Sequence, residues 1–110
     1  MSDDAPKPIR QFKLRSADFQ KRVREMAADS DNVILGEHAK ERCEERGITR
    51  LDVVRVLQTG FVKGEIELTS SGEWKGKVVR EKGERDIGVV TIILHRGRLF
   101  VVTAEWEFFK

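Results

Sequence analysis

The apolar residues of this 110-residue chain change period at Gly60. Before it they recur at three and four residues, the spacing of a helix face. After it they alternate or run together, the spacing of strands. A chain that switches once in this way folds as helices followed by a sheet, not as interleaved βα units.

The helical part reads as three segments. Ser16 is a candidate N-cap, and Phe19, Val23, Met26 and Ala27 form one apolar stripe, with Lys21, Arg22, Arg24 and Glu25 turned to water. The run Asp29 to Asn32 is a loop, and Val33-Ile34-Leu35 a brief apolar step that suits a short strand. Gly36 opens a second helix, whose small residues Ala39 and Cys43 sit one turn apart, and Gly47 is a natural terminator. Thr49 caps a third helix with Asp52 three positions on, a short capping box, and Leu51, Val53, Val54, Val56 and Leu57 supply its apolar faces.

In the second part Val62, Ile66 and Leu68 face one way and Lys63, Glu65 and Glu67 the other. A turn at Thr69 to Gly72 leads to a strand from Glu73 to Glu81. There Trp74 and Val78 share one face, and Lys75, Lys77 and Val79 the opposite one. After a turn at Lys82 to Glu84, the segment Asp86 to His95 is apolar on both faces from Val89 to Leu94 apart from Thr91, as a central strand would be. The turn His95 to Arg98 returns the chain into Leu99 to Trp106. The expectation is an α+β domain over residues 16–110, about three N-terminal helices packed on one face of a four-stranded antiparallel meander. Residues 1–15, with Pro6, Pro8, Lys7, Arg10, Lys13 and Arg15, read as a flexible basic arm.

Composition narrows the function classes. Charged residues make up 36% and hydrophobic ones 39%, which suits a soluble globular chain. The net charge is only +2, so any nucleic-acid surface must be a local patch. Cys43 is the single cysteine, which rules out an internal disulfide and a cysteine-rich zinc cluster. His38 and His95 are the only histidines, so no metal or other cofactor is expected. No apolar run reaches membrane-spanning length and the first residues do not form a secretory signal, so the expected location is cytoplasmic, with no membrane partner.

The string H-A-x-x-R-x-x-x-R-G-I, filled by His38, Ala39, Arg42, Arg46, Gly47 and Ile48, resembles the opening motif of a bacterial family, domain of unknown function (DUF) 4258. Further matches are D-V-x-x-V-L-x-x-G at Asp52 to Gly60, an aromatic and a lysine at Trp74 to Lys77, and V-V-T-x-x-W at Val101 to Trp106. The resemblance covers roughly residues 33–107. Members are similar to small toxin domains of the RelE and BrnT kind, within a group of metal-independent ribonucleases. The resemblance therefore implies RNA as substrate, and an antitoxin or other protein as partner.

Metal-free RNA cleavage needs a base for the ribose 2′-OH, cations for the phosphorane-like transition state, and an acid for the leaving 5′ oxygen. Histidine titrates near neutrality, and arginine presents a planar fork to phosphate. The residues expected to form the site are His38 for proton transfer, Arg42 and Arg46 on the same helix row for phosphate, Lys77 for RNA backbone, and Thr103 to position a phosphate or hold His38. Each has a plainer possible role. His38 can be a structural histidine. Arg42 has Glu45 three positions on and Arg46 can pair likewise. Lys75 and Lys77 can face Glu65 and Glu67 across strands. Glu105, on the face of Thr103, reads as an ordinary strand end. Trp74 and Trp106 read as core residues, Cys43 as a small core residue and His95 as an exposed turn residue. Residues 73–98 carry seven Lys/Arg against four Asp/Glu, net +3, the most basic part of the folded region. The alternative function is a non-catalytic protein- or RNA-binding module on the same fold.

Overall fold

A computed structural model describes residues 14–81 and 86–107. Most of the expected arm and the turn at Lys82 to Glu84 lie outside the described residues. Helix α1 spans Ser16–Ala27 and buries Phe19, Val23 and Ala27 of the expected stripe, while its fourth member, Met26, is only half-buried against the core. Its N-cap is Arg15 rather than Ser16, and no side chain caps it. A single 3₁₀ turn, Ser30–Asn32, leads into strand β1, Val33–Leu35. Helices α2, Glu37–Arg46, and α3, Arg50–Thr59, come next. Then come β2 (Phe61–Leu68), β3 (Trp74–Arg80), β4 (Asp86–Ile93) and β5 (Leu99–Glu107).

The local signals explain where α2 and α3 stop and start. Gly47 ends α2 at φ 68°, a left-handed conformation that costs glycine little, and Ile48 N–H donates back to Cys43 O. Thr49 and Asp52 make the reciprocal capping box of α3, Thr49 Oγ1 accepting from Asp52 N–H and Asp52 Oδ2 from Thr49 N–H, both at 3.0 Å. At the other end of α3, Arg24 of α1 donates to Gly60 O at 2.7 Å and Thr59 O at 3.2 Å. A cation thus meets carbonyls that the helix leaves unbonded.

The sheet has five strands in the order β1-β5-β4-β3-β2. The expected four-stranded antiparallel meander is present as β2 to β5, but it is not the whole sheet. β1 adds in parallel to β5, with Val33, Ile34 and Leu35 opposite Leu99, Phe100 and Val101. It precedes α2 and α3, so the helices do not all lie N-terminal to the sheet. Three residues are too few for an alternation to be read, yet they suffice to cover part of the β5 edge.

One sheet face meets the helices. Phe19, Leu57, Val78, Val89, Leu99 and Val101 form the centre of the core. Gly76 on β3 leaves space for the Phe19 ring, since a Cβ there would lie 2.9 Å from its Cε2. Thr91 is fully buried and donates its hydroxyl to Phe100 O at 3.1 Å. The bond sits at an irregularity of the β4–β5 ladder, where Val90 faces Thr103 and Thr91 faces Val101. β2 is the far edge strand and carries a second irregularity between Lys63 and Glu67, with Gly64 at φ 82°. Ile66 turns inward there, but Leu68 remains 58% exposed at the strand's end, and Leu51 on α3 is likewise exposed. These two apolar residues do not join the core expected of them.

Candidate functional site

Helix α2 is seated against β5. Gly36, just before it, bonds its N–H to Val101 O, and the Phe100 ring lies so close that a Cβ at Gly36 would be 2.5 Å from Cζ. Ala39 and Cys43 are the buried contact positions, while His38 is exposed and Arg42 and Arg46 are half-buried. The cationic row therefore runs along the margin of the core, as its one-residue offset from the small-residue seam requires.

Within the row, Arg42 Nε donates to His38 Nε2 at 3.4 Å. His38 Nε2 is the acceptor in that long bond. Arg42 Nη1 also pairs with Glu45 Oε1 at 2.8 Å, the plainer of its two expected roles. Among the described residues Arg46 takes no carboxylate in this way. Its Nη1 donates to Ala104 O of β5 at 2.9 Å, and Trp106 Nε1 donates to Arg46 O at 2.8 Å. These two bonds latch the end of α2 to the last stretch of β5, where β1 no longer covers the sheet edge. Cys43 is buried, and burial first, then Asp52, push its thiol pKa up against the opposing effect of Arg46. It is a neutral core residue.

Lys77 and Thr103 stand on the sheet face away from the core. The register runs Lys63, Lys77, Val90, Thr103 across β2, β3, β4 and β5. Lys77 and Thr103 are thus two strands apart, about 10 Å between their backbones. Lys75 pairs with Glu67 at 3.8 Å, as cross-strand reasoning expects. Lys77 departs from that pattern. Its neighbour on β2 is Lys63, and its ammonium reaches over β4 to Glu105 at 3.1 Å and to Glu107. Lys63 also contacts Glu107, at 3.3 Å. Gly88 of β4 lies beneath the crossing and leaves room for it.

The four charges are not equivalent. The Glu107 side chain is only 8% exposed, against 40% for Glu105. Burial alone would raise the Glu107 pKa, but the bonds from Lys77 and then Lys63 outweigh it and hold the carboxyl below its usual range. Burial likewise opposes charge on Lys77, and the bonds to Glu107 and Glu105 outweigh it, so its pKa is raised. Both groups are held ionised by each other.

Of the five residues expected to form a site, the structure joins His38 to Arg42, fixes Arg46 on β5 beside Thr103, and ties Lys77 to Glu105 two positions along from Thr103. The Thr103 hydroxyl does not hold His38, whose ring is met instead by Arg42. Glu105, read as an ordinary strand end, pairs with Lys77, and Glu107 and Gly88 were not anticipated at all. Their signal was a glycine inside an otherwise apolar central strand, which marks a close approach. His95 is exposed, as expected, with Nε2 at 3.2 Å from Ser71 O. It lines a cleft of about 480 Å³ with Met26, Trp74 and Ile93, which contains none of the five. Among the described residues, no group of three or more His, Cys, Asp or Glu is placed to hold a metal ion. Nor is any helix among them long and apolar enough to cross a membrane.

A family model described as "Domain of unknown function (DUF4258)" matches residues 35–106, from the last residue of β1 to Trp106. No curated protein and no solved structure shows a match.

Proposed function

The chain belongs to the DUF4258 family, and from that premise we propose that it is a toxin-like, metal-independent ribonuclease acting in the cytoplasm. His38 transfers a proton, Arg42, Arg46 and Lys77 contact phosphate oxygens, and Thr103 positions the scissile phosphate. The observation that carries this reading is the bond from Arg46 to Ala104 O, 2.9 Å long. It anchors the cationic row of α2 to the stretch of β5 that carries Thr103 and Glu105, the partner of Lys77. The row and the lysine thereby both bond the stretch Ala104 to Glu107, the row at a backbone carbonyl and the lysine at side chains on the face away from the core. An exposed imidazole with a guanidinium at its Nε2 supplies proton transfer and phosphate contact side by side.

The test is incubation of purified protein with total RNA in EDTA, alongside His38→Ala and Arg42→Ala. The wild type should cleave, and each variant should lose about 10²-fold or more in rate. Intact RNA at high protein excess, together with normal growth on induction, would sink the reading. A toxin of this kind would also require a protein antitoxin, which co-purification of the neighbouring gene product would reveal.

One observation favours a second reading, a non-catalytic protein- or RNA-binding module. Arg42 and Lys77 both already hold carboxylates, so neither presents an unneutralised charge. A steeply salt-dependent shift of RNA without products would select the RNA-binding form of that reading.

A further inference from the structure

We infer that Glu105 is the proton acceptor of the RNA-cleaving site, held inactive on Lys77 until a substrate phosphate takes its place there. The inference rests on the proposed ribonuclease activity and assigns a base and a release step to that same site.

The asymmetry of the two carboxylates motivates it. Glu107 is nearly buried, lies over the Gly88 gap and contacts both Lys63 and Lys77. It fixes the Lys77 ammonium in place and cannot leave without stranding a desolvated charge. Glu105 is 40% exposed and reaches the same ammonium at 3.1 Å. With its carboxylate open to solvent, this second pair is the weaker hold on Lys77 and the one a competing anion can replace. A phosphate oxygen offers Lys77 the same charge and the same acceptor geometry as the departing carboxylate. Lys77 would then remain doubly bonded throughout, by Glu107 and by the substrate.

Glu105 is well placed to accept a proton once released. It shares its strand face with Thr103, two residues before it, and the carbonyl between them holds Arg46. A phosphate bound by Lys77 and Thr103 would have the freed carboxylate beside it. Glu105 takes the proton of the ribose 2′-OH, the 2′ oxygen bonds to phosphorus, and the bond from phosphorus to the 5′ oxygen breaks. The 5′ oxygen takes a proton from His38 or from water, leaving a 2′,3′-cyclic phosphate and a 5′-OH end. Electrons and protons balance without an oxidant, a reductant or a metal.

Binding and cleavage should respond in opposite directions to loss of the carboxylate. Affinity is measured with an uncleavable 2′-O-methyl RNA, and cleavage with the same sequence as ordinary RNA in EDTA. Glu105→Gln should bind about three-fold tighter than Glu67→Gln, which makes the same charge change at the Lys75 pair. It should cleave about 10²-fold more slowly than wild type, and Glu105→Asp should recover part of that rate. Circular dichroism and the urea midpoint establish that each variant is folded. Equal affinities for the two glutamine variants, or cleavage by Glu105→Gln at the wild-type rate, would overturn the inference. If His38→Ala abolishes cleavage while Glu105→Gln retains it, the ribonuclease reading stands and this inference alone falls. If the wild type does not cleave, both fall.

Discussion

Lys77 on β3 and Glu107 on β5 meet across the strand between them, over Gly88. A Cβ at Gly88 would stand 2.6 Å from Glu107 Oε2 and 2.7 Å from Lys77 Cε. An ion pair between next-but-one strands therefore depends on a missing side chain in the middle one. Both obstructed atoms are ends of flexible side chains, so Gly88→Ala should fold but separate the pair. We expect a loss of about 1–2 kcal/mol, read as a lower urea midpoint at unchanged slope. The same substitution made on a Glu107→Gln background should cost clearly less. Additive losses would show that the pair does not occupy the gap.

Gly60→Ala should be worse for a different reason. Gly60 has φ −83°, which any residue can adopt, so no backbone strain is involved. Its Cβ would meet Val79 O at 2.6 Å and Val56 O at 2.7 Å, two backbone atoms that cannot swing aside. The junction of α3 and β2 must open, at a cost of about 3 kcal/mol. A fall in midpoint no larger than that of Gly88→Ala would contradict this ranking.

The charge cluster also sets a pH dependence. The Glu107 pKa is lowered in the folded state, so its contribution is full above the ordinary carboxylate range and is lost as pH falls through the folded value. The Lys77 pKa is raised, so its contribution is full below the ordinary lysine range and is lost as pH rises through the folded value. The stability difference between wild type and Glu107→Gln should be constant near neutrality. It should shrink as pH is lowered below about 4, where carboxylates protonate. A difference independent of pH down to acid unfolding would mean that the ion pair contributes nothing.

These relationships show how far local pattern reaches. The stripe of Phe19, Val23 and Ala27, the Thr49–Asp52 box and the Gly47 terminator each depend on residues close together along one helix, and all were legible. So was the pairing of Lys75 with Glu67, because β2 and β3 are consecutive strands. β1 was only suggested, since its partner β5 lies far along the chain and the pairing is parallel. The Lys77 cluster was hidden for a related reason. Finding it requires the β3–β4 and β4–β5 registers together, and a ladder irregularity at Val90 and Thr91 shifts the second by one residue. Helix spacing placed the cations of α2 in one row but could not say that Arg46 would commit its guanidinium to a carbonyl.

That carbonyl bond separates two roles for Arg46. Arg46 Nη1 on Ala104 O and Trp106 Nε1 on Arg46 O hold α2 to β5. Arg46→Met keeps the aliphatic stem and the backbone carbonyl that Trp106 uses, and removes one bond to a charged group, a loss of about 1–2 kcal/mol. Such a loss leaves the protein folded at assay temperature if the wild type has ordinary stability. If Arg46 also contacts phosphate, the folded variant should still lose about ten-fold or more in RNA cleavage, with Arg46→Lys restoring part of the rate. Trp106→Phe weakens the same latch without removing a cation, so it should lower the urea midpoint by a similar amount and leave cleavage by the folded protein nearly unchanged. Equal effects of the two substitutions on cleavage would assign Arg46 to the latch alone, and leave His38, Arg42 and Lys77 to carry the phosphate chemistry.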